Sequence, residues 1–157
     1  MKRKILLFFI ALLLTFSLAA CGEDPQLTHF KKNVEDFCNK IVELDAAMNN
    51  IDASKTNAPD ELLDCLDELD LVFQSFGRLD FPEEFDYLES IADEAVEYMK
   101  EAVKSYHEAY SNQSYNQYTA EYASQNYSRA YKRIKIIIEF LQGETPDDDE
   151  LSIEYVQ

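Results

Sequence analysis

Three cysteines and two histidines are the residues best suited to covalent or metal chemistry here, and their spacing limits what they can do. A carboxylate-bridged metal pair in a helical bundle needs Glu-x-x-His motifs facing inward from two helices. Gln26 stands three residues before His29 and Lys104 three before His107, so neither histidine completes that motif. The chain holds no Gly-rich phosphate loop, no His-Glu-x-x-His and no Ser/His/Asp grouping. Asp147-Asp148-Asp149-Glu150 lacks the glycine and the spacing of an EF-hand loop. The expectation is therefore no catalytic residue, no metal site, no cofactor and no enzymatic activity, with both histidines at the surface.

Cys21 sits in a different context. Lys2, Arg3 and Lys4 open the chain, Ile5 to Ala20 carries no charge, and Cys21-Gly22 follows. This apolar run is shorter than the ~20 residues that span a bilayer as a helix. It has the layout of an export signal, with small residues before the cleavage point. Leu18-Ala19-Ala20-Cys21 resembles the lipobox of bacterial lipoproteins. That resemblance covers the leader alone, and it implies cleavage before Cys21 and diacylglyceryl modification of its thiol. Two or more acyl chains, at ~0.8 kcal/mol per buried CH₂, hold a protein stably where one does not. The expected organisation is a signal peptide over 1–20, a lipidated cysteine and short tether over 21–26, a folded domain over 27–143 and an acidic tail over 144–157. The location implied is the extracytoplasmic face of a bacterial membrane.

Cys38 and Cys65 then form an even pair in an oxidising compartment and are the candidate disulfide. Register argues against the bond. If one helix ends near Ile51 and the next begins near Ala58, facing residues have numbers summing to about 109. Leu71 then lies beside Cys38, and Cys65 is about six residues, or ~9 Å, too far along the axis. An earlier end to the first helix would bring the two thiols together.

The elements that would position any site are helical. Only three Gly and four Pro stand in 157 residues, too few for a turn-rich sandwich or barrel. Apolar residues recur every three or four positions at Leu27, Phe30, Val34, Phe37, Ile41, Leu44, Met48 and Ile51. A second stripe runs Leu62, Leu66, Leu69, Phe73, Phe76, with Asn57 as its expected N-cap and Gly77 at the left-handed C′ position. Pro82 opens a third stripe through Leu88, Ala92, Ala95, Met99, Ala102, Tyr106 and Ala109, whose alanines imply a closely approaching neighbour. The fourth carries Ala120, Ala123, Tyr127, Ala130, Ile134, Ile137 and Leu141, and ends at Gly143 and Pro146.

Ser114-x-x-Gln117 matches a capping box. A single helix over 82–142 would run about 90 Å, too long for one small domain. The predicted fold is thus all-α, an antiparallel up-down-up-down four-helix bundle with helices over about 27–51, 58–76, 82–111 and 115–142. A long coiled-coil dimer is the structural competitor.

Charge narrows the partners. The chain has a formal charge of −17, and loss of the three leader cations takes it to −20. Such acidity excludes nucleic-acid binding, which requires Lys and Arg against phosphate, and predicts that added salt or Ca²⁺ raises the melting temperature. Fifteen Asp and Glu lie between Asp60 and Glu101 against Arg78 and Lys100, a solvated face or a surface for weak divalent-cation association. Matching helices three and four about their turn places Arg129 near Glu97, and Lys132 and Arg133 near Asp93 and Glu94.

One stretch departs from this acidity. Ser111 to Ser128 has Glu121 as its one charge, and seven of the ten tyrosines lie between Tyr106 and Tyr131. Tyr with Ser, Asn and Gln is the composition of adaptable recognition surfaces. Tyr106, Tyr127 and Tyr131 fall on the core stripe. Tyr115, Asn116, Gln117, Tyr118 and Tyr122 are the candidate binding residues, offset from Ala120 and Ala123. Counting helices up from Cys21 puts this turn at the membrane-distal end. The leading expectation is a membrane-anchored binding or adaptor module that meets a protein or glycan there. The competing ones are a protective immunity or exclusion lipoprotein that engages a basic protein through its acidic face, and a structural envelope spacer.

Overall fold

The computed structural model describes residues 24–111 and 115–146. The leader with Cys21, the Ser114 half of the capping box and the acidic stretch from Asp147 lie outside the described residues. Among the described residues the chain is entirely helical. Its elements are α1 (Pro25–Asn49), α2 (Ala58–Phe76), a 3₁₀ helix (Glu83–Leu88), α3 (Glu89–Ser111) and α4 (Gln117–Leu141). It divides into two compact units, residues 1–82 and 83–157.

In the first unit, α1 begins two residues earlier than the apolar stripe predicts. Asp24 caps it, its Oδ1 accepting the Gln26 N–H at 2.9 Å, and Pro25 takes the first helical position, where no amide donor is needed. Pro25 and Gln26 therefore belong to the helix and not to a tether. At the other end Asn50 is the C-cap, so Ile51 falls outside α1.

The turn into α2 is organised by Asp52, whose carboxylate accepts from both the amide and the hydroxyl of Ser54 and is held below its ordinary pKa by them. Asn57 precedes α2 but makes no side-chain cap; its amide donates instead to Glu61 Oε1 at 2.8 Å. Gly77 is right-handed, with φ −65°, correcting the left-handed expectation.

The two helices meet through phenyl rings. Phe37 stacks on Phe76 with centroids 4.2 Å apart and meets Phe73 edge-on at 5.4 Å. Phe81, beyond the end of α2, lies 4.8 Å from Phe30. Contacts at Phe37–Phe73 and Lys40–Glu68 rise along one helix as they fall along the other, so α1 and α2 are antiparallel.

The second unit opens with the 3₁₀ helix where the sequence predicts an α-helix from Pro82. At three residues per turn, Phe85 and Leu88 stack on one side, and Leu88 is fully buried. A spacing of three suits both helix types over so short a run. Beyond it, α3 and α4 close on alanine: Ala92, Ala95, Ala102, Ala109, Ala120, Ala123 and Ala130 are all buried. Tyr87–Phe140, Glu94–Arg133 and Tyr98–Arg129 pair across them, each with numbers summing to 227, one residue from the predicted register.

α4 ends in a Schellman motif. Gly143 is left-handed, with φ 75°; its N–H reaches Phe140 O and that of Glu144 reaches Glu139 O, both at 2.9 Å.

Candidate functional site

The tyrosine-rich surface is built at the entry to α4. Asn116, one residue before the helix, caps it: its Oδ1 accepts the Thr119 N–H at 3.3 Å, its carbonyl accepts from Ala120 N at 3.1 Å, and its own N–H donates to Ala109 O at 3.1 Å. That last bond ties the start of α4 to the end of α3. Cap selection therefore falls on Asn116, within the segment the sequence marks as a turn.

From this fixed entry the rings are distributed by helical geometry. Ala120 and Ala123 take the buried face. Tyr118 and Tyr122, four apart and off that face, share one outer row and are 85% and 47% exposed. Tyr115 is 58% exposed and packs its ring 5.3 Å from that of Tyr110. Behind them Tyr106 is half-buried; burial raises its phenol pKa, a hydrogen bond from Ser124 opposes the rise, and Tyr110 and Tyr115 add to it. Burial and then Tyr115 raise Tyr110 in the same way. The cluster is thus a set of phenol rings, three of them open to solvent.

The five predicted site residues do not play equal parts. Asn116 Oδ1 is committed to the helix cap, and the Gln117 amide donates to Glu121 Oε1 at 2.8 Å. Glu121, the segment's one charge, stays exposed. What remains outward is ring area: Tyr115, Tyr118 and Tyr122. Phenol rings provide contact area at small entropic loss, and exposed large apolar groups are the feature that distinguishes a contact surface from an ordinary one.

The remaining tyrosines of the segment are structural. Tyr127 and Tyr131 stack at 4.7 Å and their hydroxyls are hydrogen-bonded at 3.0 Å. Tyr98 on α3 lies under two guanidiniums, Arg129 at 5.7 Å and Arg133 at 6.0 Å. Arg133 also donates through Nε to Glu94.

Register places Arg133 near Glu94 and does not predict its burial. Arg133 is 8% exposed, and Ile134, Ile136, Ile137, Ile138 and Glu139 are buried with it, the last four making one full turn of α4. The consecutive isoleucines 136–138 are the signal for that, since a one-faced helix does not repeat apolar residues at every position.

Cys38 and Cys65 are both free thiols. Cys38 is buried, and desolvation, reinforced by Glu35, pushes its pKa to about 12; half-buried Cys65 is raised by burial and then by Glu68, Asp64 and Glu61. His29 is exposed and His107 half-buried. Among the described residues no three His, Cys, Asp or Glu side chains converge as a metal site requires. Among them, too, no helix is long and apolar enough to cross a membrane. Compared with known proteins, the chain matches no family model, no curated protein and no solved structure.

Proposed function

We propose that this chain is a lipid-anchored extracytoplasmic lipoprotein whose helical domain is a binding module, and that Tyr115, Tyr118 and Tyr122 are its contact residues. In this reading the two hairpins close into an antiparallel up-down-up-down bundle. Cys21 carries the acyl chains, and the turn between α3 and α4 is presented away from the membrane to a protein or glycan. The observation that carries it is the solvent exposure of three tyrosines inside an 18-residue stretch with a single charge. Rings left exposed by a helix whose cap and buried face are already satisfied have no part in folding that helix.

The anchor is tested in intact cells by labelling with a fatty-acid analogue. The native chain takes up label and fractionates with membrane; Cys21→Ala does neither. The contact surface is tested by capture from detergent-solubilised envelope. Replacing Tyr115, Tyr118 and Tyr122 with Ala removes the captured species, while charge reversal over residues 83–97 leaves it. The opposite pattern assigns the function to the acidic face and to a basic partner. Loss with neither variant refutes both surfaces.

A further inference from the structure

The α1/α2 hairpin carries an apolar groove that the tyrosine surface does not use. Its cavity is about 500 Å³, and it runs between the helices from the Lys40–Glu68 ion pair toward Leu79. Phe37, Val72, Phe76 and Leu79 form its apolar lining, and Leu71 stands on its α2 edge, 62% exposed. The α2 lining residues Glu68, Leu71, Val72, Ser75 and Phe76 follow helical spacing over about two turns, ~12 Å of axis, and Leu79 closes the trough beyond the helix end. A trough of that length and pattern matches one face of a docked amphipathic helix, which anchors through side chains at i, i+3, i+4 and i+7.

Charge chooses the occupant. Lys40, the cation in the lining, is committed to Glu68 at 2.9 Å and Glu43 at 3.2 Å. Asp36 lies in the lining one helical turn from Lys40, and Asp64 and Asp67 are exposed on α2 in the turns before Leu71. A second copy of a chain with net charge −17 would meet this edge with repulsion, as would an anionic lipid surface. A helix with leucines on one face and Lys or Arg flanking them satisfies both the apolar trough and its acidic border.

We propose that the α1/α2 groove is a docking site for a basic amphipathic helix of a partner protein, with Leu71 as the apolar contact on its α2 edge and Asp36 and Asp64 as its electrostatic border. It is a second surface, independent of the tyrosines at the α4 entry.

The test uses the full chain in zwitterionic lipid nanodiscs, with empty nanodiscs subtracted. The probe is a dye-labelled synthetic helix of about 18 residues carrying Leu at i, i+3, i+4 and i+7 and Lys at the flanking positions. One control replaces its Leu with Gln and another its Lys with Glu. Fluorescence anisotropy should show binding of the probe and at least about tenfold weaker binding of each control, a difference of ~1.4 kcal/mol. Leu71→Asp decides between groove and charge alone: it adds an anion, so purely electrostatic capture would hold or tighten, whereas groove binding weakens at least about tenfold. Leu71 is exposed, so its replacement leaves the circular-dichroism melting curve unchanged. Tyr118→Ala binds the probe as the native chain does. The proposal is overturned by native-like binding to Leu71→Asp, by equal binding of either control, or by no binding of the probe. Sedimentation showing that Leu71 mediates self-association in place of probe binding overturns it as well.

Discussion

Between α1 and α2 the facing surfaces meet through phenyl rings, at Phe30, Phe37, Phe73, Phe76 and Phe81; between α3 and α4 they meet through alanines at seven buried positions. Both hairpins are antiparallel, and an ion pair crosses each, Lys40–Glu68 in the first and Glu94–Arg133 in the second. The consequence of the different side chains is spacing. Methyl groups let two backbones approach along their whole length, and α3 and α4 are the more closely packed pair. Rings hold helices apart, and the trough lined by Phe37, Val72 and Phe76 lies along the first hairpin. Surface chemistry divides likewise: the phenol cluster gathers at the turn end of the tight hairpin, and the exposed Leu71 belongs to the looser one.

The largest test of this contrast is Phe73→Ala. It deletes a fully buried ring and should destabilise by ~3–5 kcal/mol in chemical denaturation. A loss below ~1 kcal/mol would mean that the rings do not form one core.

Next is Ala123→Leu, which inserts side-chain volume where none is exposed; overpacking predicts a loss of ~1–3 kcal/mol. The matching insertion at the exposed groove, Ser75→Leu, should fall within about 0.5 kcal/mol of the native chain. Equal effects from the two would erase the distinction between tight and loose seams.

Caps give a finer comparison. Asn116→Ala removes a side-chain acceptor from the start of α4 and should lower stability by ~0.5–2 kcal/mol. Asn57→Ala, at a helix start with no such bond, should lower it by less than half as much in the same melting experiment.

The last effect is absent at neutral pH and appears only in alkali. The Cys38 thiol is raised from 9.0 in the unfolded reference to about 12 in the fold. Between those values the folded state keeps a proton that the unfolded state releases, so the stabilisation is complete below pH 9 and is lost as pH rises toward 12. Cys38→Val should flatten this part of the stability–pH curve relative to the native chain. At neutral pH an alkylating reagent should modify Cys65 well before Cys38, and equal rates would contradict the burial of Cys38 in the phenyl-lined hairpin.

Much of this was legible from spacing because helical period and burial are both local. Phe30, Val34, Phe37, Ile41 and Leu44 are predicted as one stripe and are buried as one. Register was legible too, since short connections force facing residues to near-constant sums, and Glu94 meets Arg133 as that arithmetic requires. Register gives height along the axis and says nothing of direction around it. Leu71 lies level with Cys38 yet points outward, 62% exposed, while Cys38 is buried. The glycines show a similar limit: Gly77 and Gly143 both follow apolar stripes, and only Gly143 adopts the left-handed turn. At the candidate site the exposure of Tyr115, Tyr118 and Tyr122 follows from their offset from Ala120 and Ala123. The capture of Asn116 and Gln117 by internal bonds does not.

By itself, the order of residues determined that the described chain is helical, where its four long helices lie to within two residues except at the start of α3, and which face of each is apolar. These follow from 3.6-residue periodicity and from the scarcity of Gly and Pro. Only the tertiary structure decided that residues 83–88 wind as a 3₁₀ helix, that Arg133 and Glu139 are buried with the isoleucines between them, and that a trough lies open beside Leu71. Those outcomes depend on how far apart two backbones settle and on what covers the sides of a helix. Such distances are set by side chains distant in sequence, and no local period encodes them.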